Sequence, residues 1–137
     1  MANFKPEILE LYEAAKKARE NSYSPYSGFK VGAALRTVDG KIFAGCNVEN
    51  SSYGATICAE RGAIQTAAAA VGSFKIKEIL VVTDASPAWP PCGLCRQVIT
   101  EFSDNATLHV TNLKGELRTL LMAEIFPNPF TAADLKK

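Results

Sequence analysis

The sequence predicts an α/β protein, a three-layer α/β/α sandwich with a mixed five-stranded sheet. Three observations lead there. Segments with helical and strand patterns follow one another as α-β-β-α-β-α-β-β along 137 residues, the length of one ordinary domain, 1–137. Ile79-Leu80-Val81-Val82-Thr83 is an unbroken apolar run, the pattern of a strand covered on both faces. No repeat, low-complexity tract or long linker divides the chain.

Pro6-Glu7 opens the first helix. Ile8, Leu11, Tyr12, Ala15 and Ala18 fall on one face of it, and it ends near Asn21. Residues 21–28 carry Ser, Pro and Gly and read as loop. Phe29 to Thr37 reads as a strand, Asp39-Gly40 as a hairpin turn, and Lys41 to Cys46 as the returning strand. Asn47 to Ile57 is polar and punctuated by glycine, hence loop. Cys58 to Val71 is rich in alanine, with Gly72 suited to its C-terminus. Its Ala67 to Ala70 stretch lets something pack close, either the sheet or a helix of another subunit. Ile79 to Thr83 is the central strand, followed by a loop from Asp84 to Pro91. Gly93 to Phe102 is a helix, and Leu108 to Thr111 and Glu116 to Leu120 are late strands around residues 112–115. A helical turn and the tail Phe126 to Lys137 complete the order.

Bulk composition excludes several classes. Fifteen basic and 14 acidic residues leave a net charge of +1, which gives no footprint for nucleic acid or an anionic membrane. No apolar run approaches the roughly 20 residues of a membrane span. The segment Met1 to Pro6 has no leader-like apolar stretch, so a cytoplasmic location with reduced cysteines is expected. Metal binding is then the better use for the four cysteines than disulfides.

Cys58-Ala59-Glu60 and Pro91-Cys92-Gly93-Leu94-Cys95 form the pattern C-x-E … P-C-x-x-C. With His or Cys in first place, this is the signature of zinc nucleobase deaminases. Three protein ligands leave one tetrahedral position of Zn²⁺ open, and an open position means bound water and chemistry. Cys58 and Cys92 each fall at a predicted helix N-terminus, where free N–H groups and positive potential favour thiolate. Cys95 follows Cys92 by one helical turn, on the same side. Three thiolates on zinc carry excess negative charge. Arg61 and Arg96 adjoin the ligands and would offset it by donating hydrogen bonds to sulfur. Glu60 stands two residues after Cys58, placed to take a proton from water and return it to a substrate.

With these motifs the chain resembles the small homotetrameric cytidine deaminases over nearly its whole length. The resemblance runs through Tyr23 to Leu35, Gly45-Cys46-Asn47-Val48-Glu49-Asn50-Ser51-Ser52-Tyr53-Gly54, the two metal motifs and Phe126 to Phe130. The Asn-Val-Glu-Asn segment is the most discriminating. The resemblance implies zinc, one per subunit, on Cys58, Cys92 and Cys95, with Glu60 as proton shuttle. It implies that Asn47 and Glu49 hold the ribose 3′-hydroxyl, that Phe29 packs on the pyrimidine, and that backbone groups of Cys58 and Ala59 read the base edge. Tyr53 and Phe130 would reach a neighbouring subunit's pocket, so the substrate sites would be shared within a tetramer. The implied reaction converts cytidine and 2′-deoxycytidine to uridine and 2′-deoxyuridine plus ammonia, in pyrimidine salvage.

Two departures stand out. Ile125-Phe126-Pro127-Asn128-Pro129 stands where the family usually has Leu-Leu-Pro before the tail Phe. Trp89-Pro90 precede the second motif and Leu94 lies inside it, where smaller residues are usual. Trp89 is near enough in sequence to line the pocket around the leaving amine.

Other readings compete. A redox Cys-x-x-Cys leaves Cys58 and Glu60 without a role. A closed structural zinc site needs a fourth ligand, Cys46 or His109. Cys46 reads instead as a small buried hydrophobe, and His109 as an exposed strand residue. A deaminase of N4-substituted or aminoacyl cytosine nucleosides shares the zinc motif; the aminoacyl type is expected to lack the Asn47–Glu49 pair. Phe29 as plain core, and Glu49, Arg61 and Arg96 as solvated charges, are the unremarkable alternatives.

Overall fold

Proline at the first helical position, where an N–H would be unbonded anyway, starts α1 (Pro6–Arg19). The computed structural model describes residues 4–136. Met1, Ala2 and Asn3, on which part of the leader reading falls, and Lys137 of the tail lie outside the described residues. Ile8, Leu11, Tyr12 and Ala15 of α1 are buried, as their spacing requires.

The chain then forms β1 (Gly32–Thr37) and β2 (Ile42–Cys46), joined by a turn in which Gly40 takes a φ of 90°. A short 3₁₀ turn (Tyr53–Ala55) precedes α2 (Ala59–Val71), which ends at Gly72 with φ of 74°. Next come β3 (Ile76–Thr83), α3 (Gly93–Glu101), β4 (Ser103–Asn112) and β5 (Leu117–Leu121). Two single-turn helices, α4 (Met122–Ile125) and α5 (Ala132–Leu135), close the described chain.

The five strands form one sheet in the order β2-β1-β3-β4-β5. Only the β3–β4 pair is parallel; the others are antiparallel, so the sheet is mixed as expected. Alternation along β3 assigns Ile79 and Val81 to one face and Leu80 and Val82 to the other. The first face packs with Ala59, Ala63, Ile64 and Ala67 of α2 and Ile99 of α3. The second packs with Leu11, Tyr12 and Ala15 of α1. Those are the three layers. Within the alanine run, Ala67 meets the sheet side and residues 68–70 are exposed.

Several boundaries differ from expectation, most by a residue or two, and the larger shifts have identifiable causes. β1 begins at Gly32, not Phe29, because the Asn47 side chain occupies the ladder positions before it: its Nδ2 donates to Phe29 O (2.8 Å) and its Oδ1 accepts from Val31 N–H (2.9 Å). β3 and β4 begin earlier than their apolar cores suggest, because Ile76 pairs with Ser103 in parallel register. Lys77 and Glu78 hid the first half of β3, and the polar residues 103–107 hid that of β4. The helix expected to reach Phe102 ends at Glu101.

His109 is not exposed. It lies on β4, an interior strand, with 3% of its surface accessible. Its Nε2 is 2.8 Å from Glu78 Oε1 and its Nδ1 is 3.0 Å from Thr119 Oγ1. Arg36 Nη1 donates to the other Glu78 oxygen at 2.7 Å, and Arg36 Nη2 pairs with Glu10 at 2.5 Å. A polar row thus crosses the sheet from α1 to β5, each buried charge with its partner. Cys46, expected to be buried, is half-buried at the end of β2.

Candidate active site

Two helices begin at the same place on one face of the sheet. Cys58 is the N-cap of α2 and Cys92 the N-cap of α3, both in extended conformation. Their Sγ atoms are 4.0 Å apart. Cys95, fully buried in the first turn of α3, brings its Sγ into the group, and all three sulfurs lie within 4.8 Å of one another.

Close helix–strand packing fixes the first of these helix ends. A Cβ on Gly45 of β2 would stand 2.4 Å from Ala63 N and 2.6 Å from Gly62 C, both backbone atoms of α2. Gly62 in turn lies against the Cys46 carbonyl, where a Cβ would meet the oxygen at 3.1 Å. Paired glycines let the first turns of α2 lie directly on β2.

The thiols fit zinc. Two sulfurs bound at about 2.3 Å to one tetrahedral zinc lie about 3.8 Å apart, close to the separation of Cys58 and Cys92. The three soft donors sit at two helix N-termini, where thiolate is favoured. Among the described residues no fourth Cys, His or carboxylate belongs to this group, so a fourth coordination position stays open. Neither Cys46 nor His109 joins it.

Charge is distributed unevenly over the sulfurs. A hydrogen bond from the Cys95 thiol, with help from Arg61, lowers Cys58 to about 5. That same bond to Cys58, together with burial, raises Cys95. Arg61 Nη2 lies 3.5 Å from Cys58 Sγ and donates to Thr56 O at 3.3 Å. Its Nε is buried with no partner. The sulfur contact expected of Arg61 is therefore present. Arg96 does something else: its Nε donates to Pro91 O (2.9 Å) and its Nη1 to Ile125 O (2.9 Å). It ties the Cys92 loop to α4, and among the described residues its hydrogen bonds go to carbonyls and not to sulfur.

Glu60 sits in the first turn of α2, 4% exposed. Burial raises its pKa to about 7, with the neighbouring Cys58 charge pushing the same way. A carboxyl balanced near neutral pH suits proton transfer in both directions. Ala59, fully buried, is the first residue of α2, where a backbone N–H lies outside the intrahelical ladder.

Of the remaining candidates, Asn47 and Glu49 are held by the loop of residues 22–29. Asn47 is buried; it donates to Phe29 O and its Oδ1 accepts from Val31 N–H and from the Ser22 hydroxyl. Glu49 accepts from the backbone N–H groups of Tyr26 (2.9 Å) and Ser27 (3.1 Å) and from the Ser27 hydroxyl, which lowers its pKa. A cleft of about 340 Å³ is lined by Tyr26, Ser27, Glu49, Asn50, Tyr53 and Thr56. Phe29 is 51% exposed and meets Trp89, 45% exposed, with ring centroids 5.1 Å apart.

Tyr53 and Phe130 stand in the open. Tyr53 meets Tyr26 in an edge arrangement, ring centroids 6.1 Å apart, and the Phe130 carbonyl accepts a bond from Gln97 Nε2 of α3 (2.8 Å). A larger cavity, about 470 Å³, lies beneath the tail and includes none of Cys58, Glu60, Cys92 or Cys95. Sequence reasoning missed Ser22 and Ser27 as holders of Asn47 and Glu49. Their only signal was a polar loop, and no local pattern places residue 27 opposite residue 49.

The chain is similar to known proteins in sequence and fold. A model of the cytidine and deoxycytidylate deaminase zinc-binding region matches residues 6–111. A cytidine deaminase from Sporosarcina psychrophila is 46% identical over 131 residues, covering 94% of this chain and 95% of that protein. One from Halalkalibacterium halodurans is 44% identical over 126 residues, covering 91% and 95%. The crystal structure of a cytidine deaminase from Burkholderia pseudomallei superposes with a TM-score of 0.84 at 45% identity, covering 93% of this chain and all of that one.

Proposed function

The chain belongs to the cytidine and deoxycytidylate deaminase zinc-binding family, and we propose that it hydrolyses cytidine and 2′-deoxycytidine to uridine and 2′-deoxyuridine with release of ammonia. The observation that carries this reading is a buried carboxyl, Glu60, two residues from Cys58 of a three-thiol cluster with no fourth protein ligand among the described residues. A redox dithiol or a closed structural zinc site has no use for such a group.

The thiolates of Cys58, Cys92 and Cys95 would hold the zinc, one per subunit. When bound, the metal supplies Lewis-acid chemistry that makes water nucleophilic near neutral pH. Glu60 accepts a proton from the attacking water and passes it to the ring nitrogen beside the reacting carbon. It then moves the second proton of that water, from the hydroxyl now on the carbon, to the amine; the carbon–nitrogen bond breaks, the carbonyl forms and ammonia leaves. Oxygen replaces nitrogen on carbon and no electrons are transferred to or from the ring. Arg61, beside Cys58 Sγ, offsets thiolate charge.

Phe29 covers the pyrimidine, and backbone groups at Cys58 and Ala59 read its edge. Asn47 and Glu49 hold the ribose 3′-hydroxyl, a contact that admits both sugars. Tyr53 and Phe130, both exposed in the single chain, would complete pockets of neighbouring subunits in a homotetramer. The whole of 1–137 serves as one catalytic domain, acting in pyrimidine salvage in the cytoplasm. No helix among the described residues is long and apolar enough to cross a membrane, and the near-balanced charge argues against a nucleic-acid partner.

The test is ammonia release from cytidine by the purified, zinc-loaded protein, with Glu60→Gln as control. Turnover in the first and its loss, by at least a hundredfold, in the second is expected. A folded, zinc-loaded protein that releases no ammonia would overturn the reading.

A further inference from the structure

The loop between β3 and α3 has almost no regular structure, yet it is pinned on both sides of Trp89. Ala88 N–H donates to Glu116 Oε2 at 3.0 Å, and Asn112 Nδ2 holds that same oxygen at 2.8 Å. Asn112 Nδ2 also reaches Ala85 O at 3.0 Å. On the other side Arg96 Nε holds Pro91 O at 2.9 Å. The indole is therefore presented from a fixed frame.

Its contact is fixed too. Phe29 is held by Asn47 through its carbonyl and by Ser27 Oγ through its N–H (3.0 Å). Two aromatic rings on two braced segments meet at 5.1 Å with planes tilted by 51°, and each leaves about half its surface open. Trp89 precedes Cys92 by three residues, so its Cα lies within about 11 Å of the ligand's. Core packing does not account for an open aromatic pair on the loop that leads into Cys92.

We propose that Trp89 sets the tolerance for the leaving group: with Phe29 it forms an aromatic shelf beside the thiols that takes an apolar substituent on the departing nitrogen. This rests on the reading of the site as a nucleoside deaminase. With the pyrimidine against Phe29 and its reacting carbon toward the thiols, the exocyclic nitrogen borders the loop that carries Trp89. A substituent on that nitrogen runs along the indole. The chemistry is unchanged: water adds oxygen to the carbon, the carbon–nitrogen bond breaks, and a substituted amine leaves with the proton from Glu60.

The experiment compares kcat/KM for cytidine and N4-benzylcytidine in wild type, Trp89→Ala and Trp89→Phe, following uridine by chromatography. The ratio of benzylated to plain substrate should fall about tenfold in Trp89→Ala, as loss of one stacking partner implies, and recover in Trp89→Phe. An unchanged ratio overturns the proposal. A ratio that rises also overturns it, since the indole is then a barrier. Trp89 is the only tryptophan in the chain, so emission from the Glu60→Gln protein gives a readout without turnover. N4-benzylcytidine should perturb that emission more than cytidine does; equal responses count against the shelf. If wild type turns over cytidine and the ratio does not move, the proposal alone fails. If wild type ignores cytidine, the nucleoside reading falls and takes the proposal with it.

Discussion

Replacing Gly45 with alanine would add one methyl group where α2 lies on β2. The new carbon would stand 2.4 Å from Ala63 N and 2.6 Å from Gly62 C. Ordinary contact begins near 3.4 Å, so about 1 Å of separation must be found. Neither neighbour is a side chain that can rotate away, so the helix itself has to retreat. Overpacking of this kind costs about 1–3 kcal/mol. For a chain of 137 residues each kcal/mol is worth roughly 3–5 °C in Tm, so a fall of about 3–15 °C is expected. The retreating end of α2 carries Cys58 and Glu60, while Cys92 and Cys95 stay with α3. Misplacement by 1 Å costs about a hundredfold in rate. Thermal unfolding by circular dichroism, zinc competition with a colorimetric chelator and ammonia release together read all three effects. A Gly45→Ala protein with wild-type Tm, zinc affinity and rate would refute the packing argument.

Removing a ligand acts more simply. Cys92→Ala should fold but retain little zinc by elemental analysis, because two thiols cannot hold the ion against a chelator; near-stoichiometric zinc would refute the ligand assignment. Glu78 provides a pH signature. Burial alone would raise its pKa, but hydrogen bonds from Arg36 and His109 outweigh burial and hold it below the usual carboxylate range. The folded protein therefore binds fewer protons at this site than the unfolded one, so its contribution is present above the unfolded value of 4.5 and is lost as pH falls. Glu78→Gln should cost about 1.5–3 kcal/mol near pH 7, because Arg36 Nη1 loses its charged partner while Nη2 keeps Glu10. The gap between the two urea-denaturation curves should narrow below about pH 4.5, and a gap that stays constant would refute the assignment.

Much of this was legible because sequence spacing and local physics agree. The apolar spacing in Pro6–Arg19, the run at Ile79–Thr83 and the two cysteine motifs each express one short-range rule, and each stands where that rule puts it. What stayed hidden depends on pairing across the chain. His109 alternates with Leu108 and Val110, which on an outer strand would expose it. It is buried because β4 lies between β3 and β5, and because Glu78 and Thr119 arrive from those strands to bond it. Arg96 reads as a partner for sulfur because it adjoins Cys95. One residue along a helix is about 100° of rotation, and its guanidinium faces Ile125 instead. The Phe29 segment reads as strand from its composition, yet an asparagine side chain 18 residues away takes the place of the ladder.

The sulfurs of Cys58 and Cys92 belong to residues 34 positions apart, brought to 4.0 Å. A metal joining them is a cross-link as well as a reagent. Closing a loop of that length removes about 4 kcal/mol of chain entropy from the unfolded ensemble by the relation that holds for disulfides. The clasp also spans the two helices whose first turns hold Glu60 and Cys95. Chelation should therefore loosen the frame as it removes the reagent, so that loss of activity and gain in protease susceptibility at α2 and α3 keep pace with each other.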